Sequence, residues 1–479
     1  MADETLQDFR KLDMANLDRR CYWVQKLCYG MGHVYNDLCA AMWFSYTLFY
    51  LQIVLQMESK TAGILIMTGQ VVDALATPVV GYAVDRTGAR RAWHLAGTLA
   101  VSVGFSLIYC LKPTALNTWV LIDYGFVISL FQIGWAITQI SHLSIIPEIA
   151  TTHRYTSDLT AIRYTATVCC SISVYLITLI VLKNDNDPNK IGPDDFYKFK
   201  EIALIISLIG IFASLIFYCG ALTKEESRSD YDIIPESESD SSGLVTNEEV
   251  THFLKSSIIY KVSLMYMASR LFTTLTLIYI PLYLDEKGAR SEDTGDGIRQ
   301  TIASVPLVCF VASFMTSIAL KFRLRRCSDK VSGPVVYLVG IILALIGSVW
   351  IKLGFLFRSD SQLYVIASLI GNGWMLDHYH IWNNLDLAAG VSGSATMVSS
   401  LCLTAEFVKV NGYGGASVYS TVTFTDKLIS GGVVLLVQNL QCTPKEMCPH
   451  FYEDVLSYVC GIVSLIGLGS LATLHCRLN

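Results

Sequence analysis

Four ionisable side chains stand deep inside apolar runs of this 479-residue sequence: Asp37, Asp73, Arg270 and Lys427. A charge in hydrocarbon is costly and marks a functional position by default. Each lies roughly ten to thirteen residues into its run, which at about 1.5 Å per residue reaches the region of a bilayer midplane. The acids fall in the first half of the chain and the bases in the second. Two acids facing two bases could hold a zwitterion, its ammonium toward the acids and its carboxylate toward the bases. The same groups could instead pair with one another as a structural or gating bridge. Asp426 and Glu406 are weaker candidates, because either could serve a helix–helix contact.

The elements that position these groups follow from composition. Apolar residues make up 53% of the chain and charged residues 16%, against about 45–50% and about 25% in soluble domains. A water-soluble fold could not hide that much apolar surface. No basic stripe points to nucleic acid. No HExxH or GxSxG spacing falls in an apolar run, so an enzyme is not expected. Neither a cofactor nor a resident metal is implied.

Apolar stretches long enough to span a bilayer fall near 27–51, 61–84, 92–111, 118–149, 159–182 and 199–222. After a polar break they resume near 257–284, 298–320, 333–355, 363–410 (with an interruption), 414–438 and 454–476. The expectation is an all-α polytopic membrane protein of twelve transmembrane helices in two six-helix halves. A segment 1–26 precedes the first half (27–222), and residues 257–479 form the second. Residues 223–256 between them are acidic, Ser-rich and poor in apolar side chains, which reads as a disordered linker. The loop after the second span carries Arg86, Arg90 and Arg91, and the loop after the eighth carries Lys321, Arg323, Arg325, Arg326 and Lys330. Positive loops face the cytosol, which puts both termini there.

Two patterns carry a family resemblance. Gly81, Asp85, Arg86, Gly88, Arg90 and Arg91 fall in GYAVDRTGARR, residues 81–91. This resembles the signature of the major facilitator superfamily, whose acid and arginines close one access state on the cytosolic face. YGMGHVYND (29–37), GQVVDALATPVVG (69–81), SIIPE (144–148) and LTAIRY (159–164) resemble the melibiose-permease-like cation symporters of that superfamily. Longer stretches, including FQIGWAITQISHLSIIPE (131–148) and TFTDKLISGG (423–432), are similar to animal lysosomal and melanosomal cysteine importers within it.

The resemblance implies a major facilitator fold and a secondary transporter that moves cysteine, or a related small amino acid, across a lysosomal or melanosomal membrane by alternating access. The alternatives are a cation-coupled symporter of another small solute, such as a sugar or a lipid-like molecule, and a receptor or scaffold without flux. In the symporter pattern the cation is held by two acids on helix 2 and one on helix 4. Here Asp73 keeps the first place, but Thr77 and Gln139 stand at the others. A lone carboxylate is a poor cage for sodium yet can still carry a proton. Arg163 matches an arginine of the pattern and is expected to gate the cytosolic side or to snorkel. Gln132, Gln139 and His142 share the fourth span. His142 could titrate in an acidic compartment or could be a hydrogen-bonded interior histidine.

Three features stand outside that pattern. Cys442 and Cys448 bracket a short polar loop and could close a disulfide in an oxidising compartment, with metal binding beside His450 as the lesser alternative. Tyr231 and Ile234 form a Tyr-x-x-bulky motif of the kind that clathrin adaptors read. The stretch 371–393 interrupts the tenth span with Asp377, His378, His380 and Asp386. It reads as a retained intron in preference to a metal-binding loop, because a polar run at membrane depth must line a cavity.

Overall fold

A computed structural model of the chain describes residues 24–113, 117–149, 153–183, 191–221, 257–290, 299–311, 332–353, 396, 399–400, 403, 415–442 and 447–478. The linker with Tyr231 and Ile234, the stretch 371–393, Glu406 and the bases of the eighth loop lie outside these residues. The described helices are α1 (Val24–Val54), α2 (Ser59–Thr87), α3 (Arg90–Cys110), α4 (Thr118–Ile149), α5 (His153–Lys183), α6 (Phe196–Ala221), α7 (Ser257–Arg290), α8 (Arg299–Val311), α9 (Ser332–Leu353), α10 (Gly415–Leu440) and α11 (Phe451–Leu474). Thus α10 occupies the eleventh expected span and α11 the twelfth. No strand occurs among the described residues. Nine of the described helices are long and apolar enough to cross a membrane, fewer than the twelve spans expected for the whole chain.

The bundle turns apolar side chains outward. Phe126 and Leu208 are each 70% exposed, while Gln52, Gln132, His94 and Asp73 are buried. Apolar-out, polar-in is the arrangement a bilayer selects. Within the first half, α3 and α4 come together until a Cβ on Gly104 would stand 2.7 Å from the Phe131 backbone nitrogen, and one on Gly134 2.7 Å from that of Val101. Small residues make such helix contacts possible in lipid.

Helix breaks are local and explicable. Gly88 takes φ +66 at the end of α2, where its N–H reaches the Val84 carbonyl at 3.0 Å, the left-handed stop that glycine adopts without strain. Pro78 lies inside α2, so the Ala74 carbonyl four residues back has no helical donor. A turn at Gly32–His33 interrupts α1. Its freed carbonyls are taken by side chains: His142 Nε2 donates to Tyr29 O and His94 Nε2 to Gly32 O, each at 2.9 Å. Irregular backbone inside a bilayer requires substitutes of this kind.

Among the described residues the two halves close on each other at one end. There Gln52, in the π turn Tyr50–Val54 of α1, donates to Gln438 of α10, and Tyr452 of α11 donates to Gln52 Oε1 at 2.6 Å. Arg299 of α8 forks onto both carboxylate oxygens of Asp195, just before α6, at 2.7 and 3.2 Å. Cys442 and Cys448, joined by a disulfide with Cα atoms 5.9 Å apart, mark the same end. On α2 the stripe facing α10 runs Gly63, Met67, Gln70: a Cβ on Gly63 would press on Gln438, and one on Gly431 on Met67 and Gln70. Gly81 continues that stripe, yet among the described residues nothing lies within 4 Å of where its Cβ would be, and Asp85, Arg86 and Gly88 are exposed. The helices have diverged there. Among the described residues the bundle is sealed at the disulfide end and open at the basic-loop end.

Candidate functional site

Asp73 is the midpoint of Ser59–Thr87 in α2, and Lys427 lies at the middle of Gly415–Leu440 in α10. Because α2 and α10 run antiparallel in close contact, the two midpoints face each other. Lys427 Nζ lies 2.7 Å from Asp73 Oδ2 and donates to Thr77 Oγ1 at 3.1 Å. Thr77 in turn donates to the Asp73 carbonyl at 2.8 Å. Burial leaves the Asp73 side chain 9% exposed and that of Lys427 16%. The pair therefore bridges the halves at mid-depth, at the edge of the open end.

Arg270 of α7 turns to a different partner. Its Nε donates to Asp426 Oδ2 at 3.2 Å, and Ser430 donates to the other oxygen of Asp426 at 3.4 Å. Both groups belong to the second half. Consecutive residues on α10 thus serve two purposes, Asp426 tying α10 to α7 and Lys427 tying it to α2.

Asp37 is not part of this group. It accepts from Thr167 of α5 at 2.8 Å and sits 3.5 Å from His33 Nε2, one turn back on α1. Arg163 of α5 donates to that same His33 nitrogen at 2.8 Å. The structure therefore places Asp37 and Arg163 in an assembly inside the first half, with His33 between them. Sequence reasoning passed over His33 and His94; the four-residue spacing of His33 and Asp37 was the signal available for the first. His142 is fully buried and stacks on Tyr29 with ring centroids 4.3 Å apart. Gln139 accepts from Trp135 of its own helix at 3.0 Å. Gln132 is buried against Gly69 of α2. His450 pairs with Glu453 at 2.9 Å. No cluster of His, Cys, Asp and Glu suited to a metal occurs among the described residues.

The profile described as MFS/sugar transport protein matches residues 28–351. The mouse protein called Major facilitator superfamily domain-containing protein 12 is 33% identical over 94% of this chain and 92% of its own length. The human protein of that name is 32% identical, over 92% and 91%.

The chain belongs to the major facilitator superfamily.

An uncharacterized symporter of Synechocystis, sll1374, is 25% identical over 41% of this chain and 37% of its own. Among solved structures, the partially occluded inward-open xylose transporter XylE from E. coli superposes with a TM-score of 0.63 at 11% identity, covering 96% of this chain and 99% of its own. A bacterial homologue of the human drug peptide transporters gives 0.62 at 11%, covering 96% and 100%. These likenesses show the major facilitator fold. This major facilitator is a multi-pass membrane carrier of a small solute, not an enzyme.

Proposed function

We propose that this carrier moves cysteine, or a related small amino acid, from the cytosol across a lysosomal or melanosomal membrane by alternating access, linked to protons and not to sodium. The observation that carries the reading is the Lys427–Asp73 bridge between the halves at mid-depth. An amino acid can replace both partners at once, its ammonium on Asp73 and its carboxylate on Lys427, with Arg270 held on the neighbouring residue. Such a substrate exchanges one set of charge-assisted contacts for another, so bridge opening leaves no bare charge. The similarity to lysosomal and melanosomal cysteine importers supplies the particular amino acid and compartment. If the basic loops are cytosolic, the open end faces the side from which import begins. The reading includes twelve spans in two halves, cytosolic termini, sorting by clathrin adaptors through Tyr231 and Ile234, and removal of 371–393 from the mature chain.

Proton linkage is favoured because the positions that would complete a sodium cage carry neutral Thr77 and Gln139, the latter engaged by Trp135. A second reading, a cation-coupled symporter of a sugar, has in its favour the description of the matching family. Purified protein in liposomes preloaded with unlabelled cysteine decides between them. Accumulation of labelled cysteine by counterflow is expected. Counterflow of a sugar without cysteine would establish the second reading, and flux of neither would leave a receptor.

A further inference from the structure

His33 has one ring nitrogen with two claimants. Nε2 lies 2.8 Å from Arg163 Nη2 and 3.5 Å from Asp37 Oδ1. A guanidinium has only donors, so Nε2 accepts from it, which fixes His33 as the neutral tautomer with its proton on Nδ1. In that state Nε2 has no hydrogen to give Asp37. An ionised carboxylate only accepts, so contact with ionised Asp37 requires a proton on Nε2, and that proton excludes Arg163. The two contacts are mutually exclusive and differ by one proton.

The surroundings single out this histidine. His33 is 3% exposed and stands in the Gly32–His33 turn that interrupts α1. It is faced by Asp37 from its own helix, His94 from α3, His142 from α4 and Arg163 from α5. His94 donates from Nε2 to Gly32 O, and Tyr218 of α6 donates to its Nδ1 at 2.6 Å. His142 gives its Nε2 hydrogen to Tyr29 O. Accepting from Tyr218 makes His94 neutral, and both rings are occupied in closing the broken turn. Among the described residues His33 Nδ1 and Arg163 Nε, like His142 Nδ1, are buried with no hydrogen-bond partner, so the present arrangement leaves donor capacity unspent on both switch residues. Leaving buried polar atoms unmatched is unfavourable, as expected of a group that has a second arrangement.

We propose that His33 is a proton-operated switch. A proton binds Nε2, the ring then donates to Asp37, and the Arg163 guanidinium is released from α1. The proton is added and returned at a single atom, with no covalent bond made or broken elsewhere. This links a charge change in the first half to freedom of an α5 arginine, apart from the Asp73–Lys427 bridge. Only the consequence for flux rests on the proton-linked reading above; the switch itself is read without substrate.

The test is 15N NMR of histidine-labelled full-length protein in nanodiscs, with His33 assigned by its loss in His33→Gln. At pH 8 the His33 ring should show a protonated Nδ1 and a hydrogen-bonded, unprotonated Nε2. In Arg163→Met the Nε2 signal should lose its hydrogen-bonded shift. Near pH 5 both nitrogens of the unmodified protein should be protonated, and Asp37→Asn should leave them as at pH 8. An Nε2-protonated ring at pH 8, or a ring neutral at pH 5 in the unmodified protein, overturns the proposal. In liposomes His33→Gln, whose amide oxygen still accepts from Arg163, should keep cysteine exchange yet lose at least tenfold of pH-gradient-driven uptake. Full gradient-driven uptake in His33→Gln also overturns it. Absence of cysteine flux in the unmodified protein counts against the substrate reading alone, since the spectra remain.

Discussion

Asp426 and Lys427 are consecutive on α10, yet one binds Arg270 of its own half and the other binds Asp73 of the opposite half. Successive residues on a helix point about 100° apart, so a single turn of α10 touches both sides of the interface. Removing Arg270 leaves the buried Asp426 carboxylate without its cation. Arg270→Met should destabilise the protein by roughly 2 kcal/mol, less than for a fully enclosed pair because Arg270 is partly exposed. Adding Asp426→Asn to it should recover most of that loss, as measured by thermal unfolding of the single and double variants in detergent. Equal melting of both variants would show that the pair is not coupled.

The bridge across the halves makes a different demand. Asp73→Asn imitates the protonated acid and leaves Lys427 neutral oxygens but no counter-charge. Substrate exchange should persist at weakened affinity, because the ammonium keeps a polar but uncharged partner, while net uptake driven by a pH gradient falls by more than tenfold. The unmodified protein should be indifferent to sodium. Uptake in liposomes with sodium and pH gradients set independently separates these outcomes, and a strong sodium requirement would sink the proton-linked reading.

The seal at the disulfide end combines the Arg299–Asp195 ion pair with a set of uncharged groups. Gln52 bonds both Gln438 and Tyr452, and the Tyr452 hydroxyl also lies 3.0 Å from Gln441 Oε1. Gln52→Leu removes both of these cross-half bonds and leaves buried partners unmatched, at a cost of about 1–3 kcal/mol each. The closed end should then open more often. Spin labels on the α1–α2 and α10–α11 loops should show a longer-distance population in the variant, with Tyr452→Phe giving a smaller shift.

Close approach of α3 and α4 gives the most severe prediction. Gly134→Leu places its Cβ 2.7 Å from a backbone nitrogen, which no rotamer change relieves. Expression of folded protein, judged by a monodisperse elution peak, should fall sharply. Gly432→Ala, whose Cβ meets no atom within 4 Å, should be tolerated.

Much of this arrangement was legible in the sequence. Asp73, Arg270 and Lys427 announce themselves as charges at membrane depth, and the run GYAVDRTGARR locates the open-end loop. Partner choice was not legible. Whether Arg270 meets Asp426 or an acid of the first half depends on helix rotation and tilt, and hydropathy constrains neither. Asp37 looked like a companion of Asp73 because both sit at similar depth; the structure turns it toward α5, where Thr167 and His33 hold it. The roles of His94 and His142 follow from a backbone break at Gly32–His33, which composition alone gives no reason to place inside a span.

Pro78 has a mechanical consequence. It sits five residues beyond Asp73 and nine before the end of α2, beside Thr77, whose hydroxyl already bonds back to the Asp73 carbonyl. Nine residues make a lever arm of about 13 Å. A bend of roughly 20° at that point displaces the tip bearing Asp85 and Arg86 by about 5 Å, while a carboxylate on the near side of the pivot barely moves. The fulcrum therefore separates the tip's swing from the charge chemistry at the centre: α2 can sweep its exposed end through an angle while its own ion pair stays clasped.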